Sequence, residues 1–192
     1  MVNHSVRVMR TALLGAIGTA VYLIETLIPF PLPFGRWGLS NFTVLAAAIA
    51  FGTREAVSVA LVKSLLGSIF TGTFLGPVFF MSFFGNLTAA FAQGVAWKLR
   101  IFGIFGVSLI GSVVNNMVQV TAGRLILGSS AIFALLPYML VLGSFGAFAN
   151  ALIVKRVWSH ASSSGIIFST SSKNVENDSS RFQSSESQDR GR

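Results

Sequence analysis

Cysteine is absent from the 192 residues. That excludes disulfides, thiolate metal sites and cysteine nucleophiles together. Aspartate does not occur before Asp178, and the histidines are His4 and His160, outside the apolar region. Charge is scarce: Asp, Glu, Lys and Arg make up 10% of the chain, against roughly 25% in soluble domains. Within the apolar region there is no Walker loop, no His/Glu metal pair and no Ser/His/Asp set. Metal-dependent chemistry on a diphosphate would need carboxylates to hold magnesium, and they too are missing. No catalytic residue, metal site or cofactor is expected.

What is present is apolar. Hydrophobic residues make up 53% of the chain, and the mean hydropathy is +0.72. Apolar segments at about 11–28, 40–52, 55–70, 78–97, 101–127 and 131–157 predict an all-α integral membrane protein with six transmembrane helices. A basic leader, 1–10, precedes this membrane domain, 11–158. A Ser-rich tail, 159–192, has little to bury and is expected to be disordered and cytoplasmic. The basic start followed by an apolar run also fits a signal peptide. With further spans to follow, a retained first helix is the better reading.

The net charge of +8 does not point to nucleic acid, because the cations punctuate apolar runs and form no basic face with interleaved aromatics. Their placement reports orientation. With both termini cytoplasmic, Arg7, Arg10, Arg54, Lys98, Arg100, Lys155 and Arg156 fall inside, while Arg36 and Arg124 fall outside. This is a strong positive-inside asymmetry, and it predicts a multi-pass protein of the cell membrane with lipid around it.

The segment TREAVSVALVKSLLGSIFTGTFLGP, from Thr53 to Pro77, organises the chain. Lys63 lies roughly 13 Å along the axis from Arg54, near the centre of a hydrocarbon core about 30 Å thick. A cation there costs about 2.5–3.5 kcal/mol on insertion scales unless it is paired or wetted. Arg54 and Glu55 read as a cytoplasmic turn with a topological or partner-facing role. The expected outer half of the bundle collects Glu25, Arg36, Asn41, Lys63, Thr71, Thr73, Asn115, Asn116, Gln119 and Arg124. The inner half holds little beyond Asn86, Gln93 and Asn150. Buried polar groups in lipid need partners or a wet cavity. Such a one-sided cluster predicts a ligand pocket opening outward, with Glu25, Asn41, Lys63, Thr71, Asn115, Asn116 and Gln119 as ligand-binding residues. Lys63, with Arg36 or Arg124, favours an anionic group. The structural alternative is that Glu25 and Lys63 neutralise each other and the amides serve as interhelical glue.

Two further features bear on partners. Pro29, Pro31 and Pro33 forbid helix after the first span, so Phe34, Arg36 and Trp37 belong to a stiff aromatic loop that either closes over a site as a lid or rests on the surface. Ala12, Ala16 and Ala20 form a four-residue stripe on the first helix that lets another helix approach closely. That helix belongs either to the bundle itself or to an external partner. Ser40 and Asn41 supply N-cap chemistry for the short second helix.

In their order along the chain, Gly38-Leu39-Ser40-Asn41, Phe51-Gly52-Thr53-Arg54-Glu55-Ala56, Lys63-Ser64-Leu65-Leu66-Gly67-Ser68, Thr71-Gly72-Thr73-Phe74 and Asn115-Asn116-Met117-Val118-Gln119 resemble the Gx transporter family. That family is also labelled heptaprenyl diphosphate synthase component I, and it is similar to the substrate-binding S components of energy-coupling factor (ECF) transporters. The resemblance covers about Thr11 to Val157. It implies an S-component-like bundle that captures a vitamin-like or small organic ligand, with an ECF T subunit and ATPase subunits as partners and the alanine stripe as a partner contact. This chain has Asn115 where family members often have His, and Lys63 where they often have Arg. The synthase label implies a different role, that of a noncatalytic membrane component beside a polyprenyl diphosphate synthase.

Overall fold

The structure, a computed structural model, describes residues 4–29, 31 and 36–163. Every regular element among them is helical. The helices are α1 (His4–Thr26), α2 (Phe42–Ala50), α3 (Thr53–Phe70), α4 (Pro77–Lys98), α5 (Ile104–Leu127) and α6 (Leu136–Ser163). Short 3-10 turns, Leu39–Asn41 and Ser130–Leu135, lead into α2 and α6. The chain up to Val154 forms one compact unit, and Lys155–Arg192 forms a second, whose described part is the end of α6.

The helix ends follow local chemistry. Pro77 opens α4 in the first turn, where its missing N–H removes no helical bond. Gly128 closes α5 in the left-handed conformation, φ 68°, and donates its N–H to the Arg124 carbonyl. Gly52, φ 101°, makes the sharp turn between α2 and α3, in a region that disfavours any side chain. Two boundaries differ from the sequence expectation. The basic leader is not separate, since α1 already begins at His4; the leader contains no proline or glycine to stop the helix. At the other end α6 runs on to Ser163, so the start of the expected tail is helical. The disorder expected farther along falls on residues 164–192, outside the described residues.

Four stretches are long and apolar enough to cross a membrane: Ser5–Thr26, Pro77–Lys98, Ile104–Leu127 and Ser130–His160. They leave large side chains such as Leu13, Phe84, Phe91, Phe145 and Phe148 exposed. A soluble surface does not carry that much exposed apolar side chain, and the chain is a membrane protein. The remaining two helices differ. The 18 residues of α3 span about 27 Å, yet they carry Arg54, Glu55 and Lys63. The nine residues of α2 reach only about 13 Å, under half the hydrocarbon thickness.

The short helix α2 is the centre of the bundle. Val44, Ala47 and Ala48 on one side pack with Ala56, Val59 and Ala60 of α3 and Ala90 of α4. On the other side Leu45 and Ile49 pack with Ala96 of α4, Val107 of α5 and Val154 of α6. A helix that is apolar all round belongs in a core. A third cluster, Met81, Val120, Ile132 and Met139, joins α4, α5 and α6 at the far end.

Glycines set how closely the helices approach. A Cβ on Gly15 would lie 2.7 Å from Val62 Cγ1, so α1 rests on α3 through its glycine face. Gly67 of α3 lies flat against the Tyr22 ring, where a Cβ would come within 2.7 Å of two ring carbons. Ala12, Ala16 and Ala20 lie on a different face of α1 and are exposed. At the base of this helix pair, Arg7 Nε donates to Glu55 Oε1 at 2.7 Å, which ties α1 to the first turn of α3.

Candidate functional site

The 3-10 turn before α2 is capped from another helix. Glu25, near the end of α1 and 4% exposed, accepts three consecutive backbone N–H groups. Oε1 takes those of Gly38 and of Leu39 (3.1 Å), and Oε2 takes that of Ser40 (3.3 Å). The first N–H groups of a helix have no partner within it, and they carry partial positive charge. A buried carboxylate satisfies both needs. The N-cap role expected of Ser40 and Asn41 therefore falls to Glu25: Asn41 makes no side-chain cap bond, because its amide oxygen is engaged by a cation.

That cation is Lys63, 1% exposed. Its Nζ donates to Asn41 Oδ1 and, at 3.4 Å, to Ser40 Oγ. Glu25 and Lys63 thus hold adjacent parts of one turn, through different partners. Gly18 of α1 makes room for the lysine stem, since a Cβ there would stand 3.1 Å from Lys63 Cδ.

Arg36 covers the turn. Its guanidinium lies over the Tyr22 ring, 4.2 Å from the centroid. Burial lowers its pKa to about 10, which leaves it charged at neutral pH. The carbonyl of Gly38 accepts from Asn150 Nδ2 at 2.8 Å, so α6 fastens the same segment. Gly146 of α6 leaves the space taken by the Trp37 carbonyl.

Two hollows meet beneath this cover. The outer one is lined by Tyr22, Glu25, Lys63, Ser82 and Gln119, among others. The inner one is lined by Val44, Ala89, Gln93, Ser108, Gly143 and Asn150, among others. Arg36, Gly38, Asn41, Asn86, Asn115 and Asn116 border both. Each encloses about 30 Å³, room for about two waters.

The amides reach these hollows along helix faces. Gly85 lets α4 close on α5, where its Cβ would meet Asn115 Oδ1 at 2.6 Å. Gln119 Nε2 donates to Asn115 Oδ1 at 3.5 Å, Asn116 Nδ2 to the Met139 carbonyl at 2.8 Å, and Asn86 Nδ2 to Ser64 Oγ at 3.1 Å.

Of the expected ligand-binding residues, Glu25, Asn41, Lys63, Asn115, Asn116 and Gln119 line this space, and so do Arg36 and Trp37 from the expected lid. Phe34 lies outside the described residues. Thr71 does not join the site. Its hydroxyl caps the end of α3 by donating to the Gly67 carbonyl at 2.8 Å, and it also meets Thr73 Oγ1 at 2.9 Å. Arg124 is not the second cation, since it is exposed and lies over Phe133 at 5.7 Å. The sequence reading placed Asn86, Gln93 and Asn150 in a separate, nearly featureless half. They line the inner hollow. The signal for two of them was visible in the polar stripe of α4, Ser82, Asn86 and Gln93, whose spacings of four and seven residues put them on one face.

Gly67→Ala tests the cover. The added Cβ must displace the Tyr22 ring, and the Arg36 guanidinium rests on that ring. The expected outcome is a loss of about 1–3 kcal/mol in stability, together with a red shift of tryptophan fluorescence as the Arg36–Trp37 segment loosens. Unchanged emission would detach Tyr22 from the cover.

Fold and site together define an all-helical membrane protein whose short central helix is held at its N-terminal end by a buried carboxylate and a buried lysine, beside a small polar hollow. Residues 14–157 match the family described as heptaprenyl diphosphate synthase component I, and the chain belongs to that family. No curated protein and no solved structure matches the chain.

Proposed function

We propose that the chain is a noncatalytic component of the cell membrane that captures a small ligand from outside, as the S components of ECF transporters do. The observation that carries this reading is the convergence of Lys63, Arg36 and the amides of α4, α5 and α6 on two adjoining polar hollows. With six membrane-associated helices and cytoplasmic termini, the arrangement that the asymmetry of the Lys and Arg residues favours, the hollow around Lys63 and Arg36 would lie in the outer half. Drug-sized ligands occupy pockets of roughly 300–1,000 Å³, so hollows of about 30 Å³ each must open to admit one. The segment around Arg36 and Trp37, which borders the hollows from outside the helices, is the part placed to move. The exposed face of Ala12, Ala16 and Ala20 then suits a transporter T subunit, with ATPases below it.

The family match favours a second reading. A membrane component I would associate with a polyprenyl diphosphate synthase, and the polar cluster would then fix the fold around α2. Affinity capture of the full chain from native membranes in mild detergent separates the two. The transport reading expects a T-type membrane subunit and ATPases to co-purify, and Ala16→Leu to reduce their recovery at least tenfold. Recovery of a soluble polyprenyl diphosphate synthase without ATPases would establish the second reading and end the first.

A further inference from the structure

The hollow has two chemically different ends. Its outer part holds two cations, Lys63 and Arg36, and one carboxylate, Glu25. Glu25 is fully engaged, with both oxygens turned to the backbone N–H groups of residues 38–40. The three side chains leave one net positive charge in a space where Lys63 and Glu25 are buried and Arg36 is half-buried. Arg36 Nη1 is buried there without a hydrogen-bond partner. A donor and an uncompensated charge of this kind call for an anion.

The inner part has the opposite need. Gln93 and Asn150, 4% and 5% exposed, each leave a carbonyl oxygen buried and unpartnered. The orientation of Asn150 is set by the bond from its Nδ2 to the Gly38 carbonyl, so the free atom is the acceptor Oδ1. Both residues line the inner hollow. Buried acceptors without donors are costly, and they fit a ligand that brings N–H groups.

We infer that the site takes a small organic monoanion that carries an uncharged N–H group, an acid with an amide-like or ring N–H, its carboxylate between Lys63 and Arg36 and its N–H groups toward Asn150 and Gln93. This rests on the capture reading above and narrows it to a ligand class. A ligand of either unlike kind is disfavoured by a specific term. A cation meets Lys63 and Arg36, and a neutral molecule leaves their charge unanswered.

The test uses four compounds on one four-carbon skeleton: succinamate, butyrate, butyramide and butylamine. Thermal unfolding of the purified full chain is followed at millimolar concentrations against matched sodium chloride. Succinamate is expected to raise the melting temperature most and butyrate less, with no shift from butylamine. Arg36→Gln, in a loop outside the helices, should remove both shifts, and Asn150→Leu should remove only the advantage of succinamate over butyrate. Lys63→Met serves as the second cation variant, with the same expected loss.

A shift with butyramide or butylamine equal to that with butyrate overturns the ligand class and leaves capture standing. No shift with any of the four also overturns the ligand class. Capture itself is read separately by native mass spectrometry of the protein from its own membranes. A retained small molecule of any charge keeps the capture reading, and an empty protein ends it.

Discussion

Lys63→Met is expected to abolish retention of the captured ligand while the protein stays folded. Methionine matches the lysine stem in length and keeps the contact with Gly18. Removing the charge relieves a cost of about 2.5–3.5 kcal/mol for a cation at membrane depth. It also strips Asn41 Oδ1 and Ser40 Oγ of their donor, at about 1–3 kcal/mol for each acceptor left unsatisfied. These terms oppose each other and nearly cancel, so circular dichroism and monodispersity should be close to wild type. Binding has no such compensation. Deleting one partner of a buried charge pair costs about 2–5 kcal/mol, or roughly 30-fold to several-thousand-fold in affinity. Native mass spectrometry of wild type and variant reads the difference directly. Equal occupancy in the two would reduce Lys63 to a fastening for the turn before α2.

Glu25→Ala is expected to have the largest effect on stability of any single truncation in the site. The carboxylate is the acceptor for three successive N–H groups at the entry to α2. Without it those donors, one buried and two half-buried, are unpaired, and at about 1–3 kcal/mol for a fully buried one the loss is about 3 kcal/mol. The electrostatic consequence has the same sign, since Lys63 and Arg36 lose the anion that shares their enclosure. Because α2 packs into two core clusters, loosening its N-terminal end reaches α3, α4, α5 and α6. Glu25→Gln should lie between wild type and alanine, because one carbonyl oxygen remains while the new NH₂ faces a backbone N–H. The ordering is measured by SDS-induced unfolding in mixed micelles. Glu25→Ala unfolding at the wild-type SDS fraction would mean that the 38–40 N–H groups find another acceptor.

Most of the polar residues at this site could be picked out from the sequence because each is an exception within its segment. Lys63 is a cation inside an apolar helix, Glu25 an acid near the end of another, and Asn115, Asn116 and Gln119 amides at helical spacing. Lipid makes such residues expensive, so their presence alone marks them. Their partners were not legible in the same way. In place of the direct Glu25–Lys63 pair offered as the structural alternative, the two side chains hold one shared turn, because backbone N–H groups at a helix entry compete for the carboxylate. A sequence written as side chains does not display those donors. Thr71 was misplaced for a related reason: its hydroxyl turns back on its own helix, a local bond that a polar residue at a helix end readily makes.

The all-helical class and the apolar stretches were readable from the sequence alone. These follow from hydropathy and composition, which act residue by residue. Tertiary packing, by contrast, set the short α2 at the centre. It also decided that Asn86, Gln93 and Asn150 line a hollow adjoining the one that Lys63 borders, and that Arg36, not Arg124, is the second cation. Those outcomes depend on how closely helices approach through glycines such as Gly18, Gly67 and Gly85. Close approach is a property of paired surfaces, and hydropathy along a single chain does not specify which surfaces meet.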